Sequence, residues 1–526
     1  DLVRSRGLGD VYKRQVLIFN DLCHSCGVCS FICPEGSLTE RDAVIGTVQT
    51  APGNDPFFFA HGLLNIGESL APTVVRRVKD HIDRDAVNII DASPGTACPV
   101  VEAVSGADAV LLVTEPTPFG LNDLKLAVGL SLEMGVPTGI VVNRSDGEDA
   151  IIAEYAEETG IPIAGRIPFS RAYAEAYSKG QVLVESFPEL RQNLLDIFDG
   201  LRTALPPVPA EEGFRIEAGT PAPFAVGSAR DYDEITIISG KGGTGKTTVA
   251  ASLAHLTDSK ILADNDVDAA DLHLLLAPAV REGHDFVGGT KAVIDPELCT
   301  GCGLCAEACH FSAIRRDGPS NGLTEATCRI EPLACEACGL CVLVCPDGAV
   351  RGEKNVTGRW YVSGTAYGPM VHARLGIAEE NSGRLVTQVR SRAQQLAAEL
   401  KRELILGDGP PGTGCPVIAS VSGTDLVVIV TEPTVSGVHD MERVMKLSAH
   451  FGVPAVVVIN KADLNHDQAS RIEEIAARYG SRVVGRIPFD REVNDALMAG
   501  KTVVEYGDGA ASQAIRAVWE QLRAAL

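Results

Sequence analysis

The chain has 526 residues, 45% of them apolar and 5% aromatic, enough for two or more packed domains and a poor composition for a disordered protein. A formal net charge of -23 denies it the basic surface that a phosphate backbone requires, so nucleic acid is excluded as a partner. No apolar run reaches the roughly 20 residues of a membrane span, and no signal-peptide layout opens the chain, so a cytoplasmic protein is expected. Fifteen cysteines, thirteen of them within residues 23–33 and 299–345, point to metal sites in a reducing compartment rather than to disulfides.

In chain order, residues 1–15, DLVRSRGLGDVYKRQ, resemble an adaptor-derived, non-native tail; a flexible basic tail or a targeting segment are the alternatives. Residues 16–45 carry a first cysteine motif, Cys23, Cys26, Cys29 and Cys33, followed by Pro34. Residues 46–205 alternate β-rich apolar runs (NIIDA, AVLLVTEP, GIVVN) with helical stretches such as LNDLKLAVGLSLEMG, the pattern of a parallel sheet covered by helices. Within them DASPGTACPV, residues 91–100, reads as a strand ending in an aspartate and a turn, with no phosphate loop before it. Asp91 to Thr117 matches Asp408 to Thr434 at 17 of 27 positions without a gap, and TEPTPFGLND, GIVVNRSD and GRIPFSR return as TEPTVSGVHD, VVVINKAD and GRIPFDR. The chain is therefore read as one domain present twice, the first copy lacking its N-terminal half, with a Pro- and Gly-rich linker at 206–232. The second copy is expected at 233–290 and 356–526, interrupted by an insert at 291–355.

The second copy opens with EITIISGKGGTGKTTVAASLAHL, a strand, a glycine loop and a helix. Gly240, Lys241, Gly242, Gly243, Thr244, Gly245, Lys246 and Thr247 satisfy G-x-x-x-x-G-K-[ST], with Thr248 following on the helix. In that pattern backbone N–H groups converge on phosphate oxygens, Lys246 neutralises the β and γ phosphates, and Thr247 offers a hydroxyl to Mg²⁺.

The insert contains Cys299-x₂-Cys302-x₂-Cys305-x₃-Cys309 and Cys335-x₂-Cys338-x₂-Cys341-x₃-Cys345-Pro346, the bacterial two-cluster ferredoxin spacing. Because the fourth cysteine of such a run ligates the other cluster, Cys299, Cys302, Cys305 and Cys345 form one 4Fe–4S set, and Cys335, Cys338, Cys341 and Cys309 the other. Zinc is the alternative, although its sites use two C-x₂-C pairs with a longer loop between them. His310 stands where a proline is usual. By the same logic Cys23, Cys26 and Cys29 would hold an incomplete third cluster, and Cys33 would serve a missing one. Cys328, Cys98 and Cys415 are read as partly buried thiols rather than ligands.

Lys241, a second lysine inside the phosphate loop, makes the second copy resemble the deviant Walker A branch of P-loop ATPases, the MinD/Mrp/ParA group of SIMIBI type. The resemblance extends through ILADNDVDAADLHLLL and DGPPGTG. It implies an α/β, parallel-sheet P-loop NTPase domain with a ferredoxin-like α+β insert, as in proteins labelled cobyrinic acid a,c-diamide synthase-like; EENSGRLV at 379–386 and GESLAPTVVRRVK at 67–79 fit as well. It also implies roles. Asp266 matches the switch I aspartate and Asp408 the Walker B carboxylate, both beside Mg²⁺, while Lys241 reaches across a dimer and Asp440 approaches it. Asn460 and the Pro488–Phe489 stretch would hold the base; NKAD read alone equally suggests guanine, and ATP is favoured by the signature lysine. Asp268 and Asp271 are taken as solvated or capping acids. In the first copy Asp91, Asp123 and Asn143 occupy matching places, with Asp123 expected to pair with Lys241.

These features imply an ATP-hydrolysing iron–sulfur protein in which closure of a homodimer or intrachain pseudo-dimer presents the clusters to a redox or metallocofactor-assembly partner. The alternative is a nucleotide-sensing electron carrier or a MinD-like scaffold with little turnover. In the C-terminal helix, Ile515, Val518, Trp519, Leu522 and Leu526 form an apolar face with only Arg516 and Arg523 as basic company, so core packing is expected and a stable membrane anchor is not.

Overall fold

A computed structural model describes residues 23, 25–52, 57–65, 68, 70–147, 149–204, 232–377, 379 and 382–524. The N-terminal tail and most of the linker read from the sequence lie outside these residues.

The larger body is a nine-stranded sheet of the second copy, built from β6 (Asp233–Ser239), β7 (Lys260–Asp264), β8 (Ala279–Ile294), β11 (Val350–Thr365), β12 (Gly368–Leu375), β13 (Leu404–Pro411), β14 (Leu426–Thr431), β15 (Ala455–Asn460) and β16 (Val483–Ile487). Their spatial order is β16-β15-β14-β6-β13-β7-β12-β11-β8. The seven strands from β16 to β12 are parallel, and β11 and β8 run antiparallel at one edge. Runs such as LVVIVT and LILGDGPP lie buried along their length, as strands covered on both faces must. Helices Lys246–Leu256 and Ala510–Arg523 cover one face, and Val435–His450, His466–Arg478 and Ser382–Leu400 the other. Ile515, Val518, Trp519 and Leu522 are in the core, as expected, and Leu526 of the same predicted face lies outside the described residues. Among the described residues no helix is long and apolar enough to cross a membrane.

Strands β8 and β11, each 16 residues long, pair with each other from Ala279–Gly364 to Ile294–Val350. Only Gly358 to Thr365 of β11 also pairs with β12. The rest of the ribbon therefore runs on past the carboxyl ends of the parallel strands, and its tip carries residues 295–349 with the small hairpin of β9 (Ile314–Gly318) and β10 (Thr327–Ile330). The expected insert boundaries at 291 and 355 fall inside these continuous strands, because the ribbon belongs to the sheet and to the insert at once.

The first copy holds a three-stranded parallel sheet, β3 (Val110–Thr114), β4 (Thr138–Ser145) and β5 (Ile163–Pro168), and a hairpin of β1 (Gly46–Pro52) and β2 (Phe58–Leu64). The helix that follows β3 starts as its counterpart does: the Thr117 hydroxyl accepts from Gly120 N and the Thr434 hydroxyl from Gly437 N. The strand expected at NIIDA does not form. Its counterpart β13 is hydrogen-bonded to β6 on one side and β7 on the other, and no described strand of the first copy supplies either neighbour. Ile89 is accordingly 87% exposed.

Candidate nucleotide site and cysteine clusters

The phosphate-loop motif joins β6 to the helix Lys246–Leu256 at the carboxyl edge of the sheet, where open parallel sheets bind ligands. Gly245 caps that helix in the left-handed region, φ 88°, and a side chain there would meet the Asn460 amide. Gly240 lies so close to the Asp440 backbone that a Cβ would fall 2.6 Å from its carbonyl carbon. The glycines thus serve packing as well as loop geometry.

Lys246 is buried, with Nζ 2.8 Å from Asp408 Oδ1, 3.3 Å from Asp266 Oδ2 and 3.2 Å from the Thr247 hydroxyl. Burial opposes its charge, but the carboxylates of Asp408 and Asp266 outweigh it and hold the ammonium above its ordinary range. Asp408 reaches this point from the end of β13, and Asp264 and Asp266 from the end of β7. Burial, opposed by Lys246 and reinforced by Asp408, pushes Asp266 up to about 6. Asp264 is raised well above its ordinary value by burial and then by Asp408 and Asp266. Oδ2 of Asp408, Oδ2 of Asp264 and the Thr244 hydroxyl are buried without a hydrogen-bond partner. Buried carboxylate oxygens of this kind suit a hard cation, and a glycine loop leading into a helix N-terminus beside a lysine suits phosphate, so the residues present fit a Mg²⁺–nucleotide. Asp264 carried no weight in the sequence reading; its signal is that it ends a strand two residues before Asp266.

The Asn460 amide donates to the Thr244 carbonyl at 2.8 Å, fastening β15 to the loop. Pro488 follows β16, and the next residue, Phe489, stacks on Phe169 of the first copy with ring centroids 6.0 Å apart. Lys241 does not meet Asp440. Its Nζ donates to the Ser436 hydroxyl at 3.1 Å, lies 3.8 Å from Glu432, and sits 5.7 Å from the ring centre of Tyr177. The Asp440 carboxylate instead faces His439 at 3.2 Å, since its backbone is already packed on Gly240.

Tyr177 belongs to the first copy, which packs over this face. The Asn122 amide donates to Asp271 at 2.9 Å, Arg171 pairs with Asp463 at 2.9 Å, the Tyr177 and Ser436 hydroxyls lie 3.1 Å apart, and Asn465 donates to the Ser178 hydroxyl at 3.1 Å. Asp123 is raised by burial and then by the charge of Asp266, with Lys246 opposing. The expected pairing of Asp123 with Lys241 is corrected: Asp123 faces Lys246 and Asp266, and Lys241 faces Tyr177. Asp268 and Asp271 are also not the solvated or capping acids expected. Asp271 makes no cap bond to its helix and takes the Asn122 amide instead. Asp268 is pushed up to about 7 by burial and by Asp266. Asp91, with no strand beneath it, is exposed.

At the ribbon tip, Cys299, Cys302, Cys305 and Cys345 line a single cleft together with Cys328. This is the cross-linked set that the spacing predicts, three thiols from one motif and one from the other. Cys328 is buried and its backbone N–H points at the Cys299 sulfur at 3.4 Å, a contact of the kind that tunes cluster potentials. Burial and the Cys328 thiol push Cys305 up to about 12. Cys341 is pushed up to about 11 by burial and then by Cys335, Cys338 and Cys309, the other predicted set. The lining of that cleft, three thiols from Cys299, Cys302 and Cys305 and a fourth from Cys345, is a donor set that a 4Fe–4S cube would fit.

Comparison with known proteins follows the same lines. Residues 235–503 match the family model of the CobQ/CobB/MinD/ParA nucleotide binding domain. The uncharacterized protein MJ0578 of Methanocaldococcus jannaschii is 32% identical over 293 residues, covering 55% of this chain and 96% of that protein. An iron–sulfur cluster carrier protein of Pyrococcus abyssi is 27% identical over 157 residues; the match spans 27% of this chain and about half, 52%, of that relative. Among solved structures, the cell division ATPase MinD of Pyrococcus furiosus aligns over 56% of this chain and 99% of its own at 18% identity, with a TM-score of 0.33.

Proposed function

The chain belongs to the CobQ/CobB/MinD/ParA nucleotide-binding family, and on that premise we propose that its second copy binds and hydrolyses ATP and couples the cycle to iron–sulfur chemistry in the insert. The observation that carries this reading is the shared edge: the Lys246–Asp408–Asp266 constellation and the ribbon bearing both cysteine quartets rise from the same carboxyl end of one sheet. Residues Gly240 to Thr247 would cradle the phosphates, Lys246 would turn from the two carboxylates to the β and γ phosphates, and Thr247, Asp266 and Asp408 would hold Mg²⁺. Bound Mg²⁺ supplies charge neutralisation on the phosphates. Asn460 and Pro488 would border the base.

Asp266 sits between the phosphate loop and the start of the ribbon, so a change in its partners is felt at residues 267–279, which lead directly into β8. That is the mechanical link we propose between nucleotide state and cluster position. The first copy, packed on Lys241 and Lys246 through Tyr177 and Asp123, acts as the in-chain partner of a pseudo-dimer. Relatives named iron–sulfur cluster carrier proteins favour handing electrons or clusters to a further protein over a purely positional role.

The test is anaerobic reconstitution of the full chain with iron and sulfide counts, followed by nucleotide turnover with and without dithionite. About eight irons from the insert and turnover that changes with reduction support coupling. Zinc retention, or turnover indifferent to both iron and reductant, overturns it.

A further inference from the structure

We propose that the cysteine loop of the first copy is a third cluster site, held by Cys23, Cys26 and Cys29 and docked on the Cys335 quartet of the second copy, so that electrons cross between the two halves of the chain. This rests on the reading that the second copy's quartets hold clusters.

The loop has the backbone of a cluster loop. In both motifs of the insert, the residues just before and just after the second cysteine are left-handed: Gly301 and Gly303 at φ 68° and 83°, Ala337 and Gly339 at 49° and 78°. The first copy repeats this at Ser25 and Gly27, φ 52° and 73°. A non-glycine residue in that region costs about 1–2 kcal/mol and persists only where its surroundings fix it. Ser25 and Ala337 carry that strain at the same place in equivalent loops. Each loop then enters a short helix, and Cys33 and Cys345 close theirs with nearly the same backbone angles, φ -74° in both and ψ 108° and 112°. Turns of this kind point successive N–H groups inward, the arrangement that anionic iron–sulfur clusters use. The Cys33 sulfur lies 3.2 Å from the Ser37 hydroxyl and is not needed by the three-thiol set.

The loop is also addressed to a particular neighbour. His310 follows Cys309, a member of the second quartet, and its Nδ1 lies 3.1 Å from the Ser25 carbonyl oxygen. That oxygen only accepts, so Nδ1 carries the proton. The proline usual at this position has no side-chain donor and could not make the bond. The same imidazole lies against Gly27, where a Cβ would fall 2.9 Å from Cε1. Three ligand sets thus lie in series, from the first copy through the Cys335 quartet to the Cys299 quartet.

The transfer involved is one electron from a reduced cluster in one half to an oxidised cluster in the other, with no bond made or broken. Its source is a low-potential one-electron donor, for which dithionite serves in the test.

Reconstitute the full chain anaerobically, count iron and sulfide, and record electron paramagnetic resonance of the dithionite-reduced protein for the wild type, Cys26→Ser and His310→Ala. The proposal expects about eleven or twelve irons in the wild type and about eight in Cys26→Ser. It also expects spin–spin broadening in the wild type beyond that of the two insert clusters on each other, and expects this extra broadening to be lost in Cys26→Ser. His310→Ala is expected to keep the iron and lose or weaken the broadening. A wild type that stops at about eight irons, with a spectrum that Cys26→Ser leaves unchanged, overturns the third site. Iron that falls in Cys26→Ser with no change in broadening overturns the docking. Fewer than about four irons in the wild type would show that the insert itself is empty, a failure of the earlier reading that the count tells apart from this one.

Discussion

The Nζ of Lys246 lies 2.8 Å from Oδ1 of Asp408, and Oδ2 of the same carboxylate is buried without a hydrogen-bond partner. One oxygen is thus neutralised by the lysine while the other remains available. Removing one member of a buried, hydrogen-bonded ion pair costs about 3–5 kcal/mol, because the survivor keeps its desolvation penalty. Lys246→Ala is therefore expected to abolish ATP binding by calorimetry and also to destabilise the nucleotide-free protein. With the cation gone, Asp264, Asp266 and Asp408 repel one another more, so the loss is expected to be larger at pH 8 than at pH 6. A variant that melts at the wild-type temperature at both pH values would contradict the pairing.

Lys241 is placed differently, on Ser436, Glu432 and the Tyr177 ring. A cation at a partly exposed aromatic face contributes about 0.5–1 kcal/mol, so the nucleotide-free protein tolerates its loss. Lys241→Ala is expected to bind ATP within about threefold of wild type while losing turnover, since its contacts are to Ser436, Glu432 and the first copy's Tyr177 rather than to the Lys246 cluster. Loss of binding equal to that of Lys246→Ala would remove any role for it across the copies.

In the insert, Cys345 shares a cleft with Cys299, Cys302 and Cys305, not with the other cysteines of its own motif. Cys345→Ser is expected to alter the spectrum of the Cys299 cluster and leave that of the Cys335 cluster intact, whereas Cys309→Ser does the reverse. Paramagnetic resonance of the two single variants, each against a variant lacking the whole neighbouring set, decides between this crossed ligation and local ligation.

The sequence declared what depends on local spacing and hid what depends on neighbours. The phosphate loop, Asp408 and the two quartets are read from fixed intervals, and the fold keeps those intervals in one turn or at one strand end. NIIDA has the composition of a strand yet forms none, because a parallel strand exists only with its neighbours and the described residues of the first copy offer none beside it. Asp271 reads as a capping acid from its place before LHLLL, yet a side chain 149 positions away in sequence, Asn122, takes its carboxylate. Lys241 likewise found Ser436 and Tyr177 rather than Asp440, a choice set by how Gly240 packs.

The face between the copies is also where pH acts. Asp123 from the first copy meets Asp266, Asp271 and Lys246 of the second, and the Asn122 amide donates to Asp271. Burial raises Asp123 and Asp271, and it brings Asp266 to about 6 and Asp268 to about 7. A solvated aspartate titrates near 3.9. Between about pH 4 and pH 7 the docked face therefore holds protons that separated copies have released. Each raised carboxyl favours docking most below about pH 4, and that advantage is lost as pH climbs through the raised value. Docking is thus expected to loosen on going from pH 6 to pH 8.5 in the absence of nucleotide, and small-angle scattering of the full chain should show a larger radius of gyration at the higher pH. Asp123→Asn removes the first copy's titrating charge while keeping a polar side chain of the same size, so its radius is expected to change less over the same range. An equal radius for the wild type at both pH values, or an unchanged response in Asp123→Asn, would show that these acids do not govern how the first copy sits on the nucleotide face.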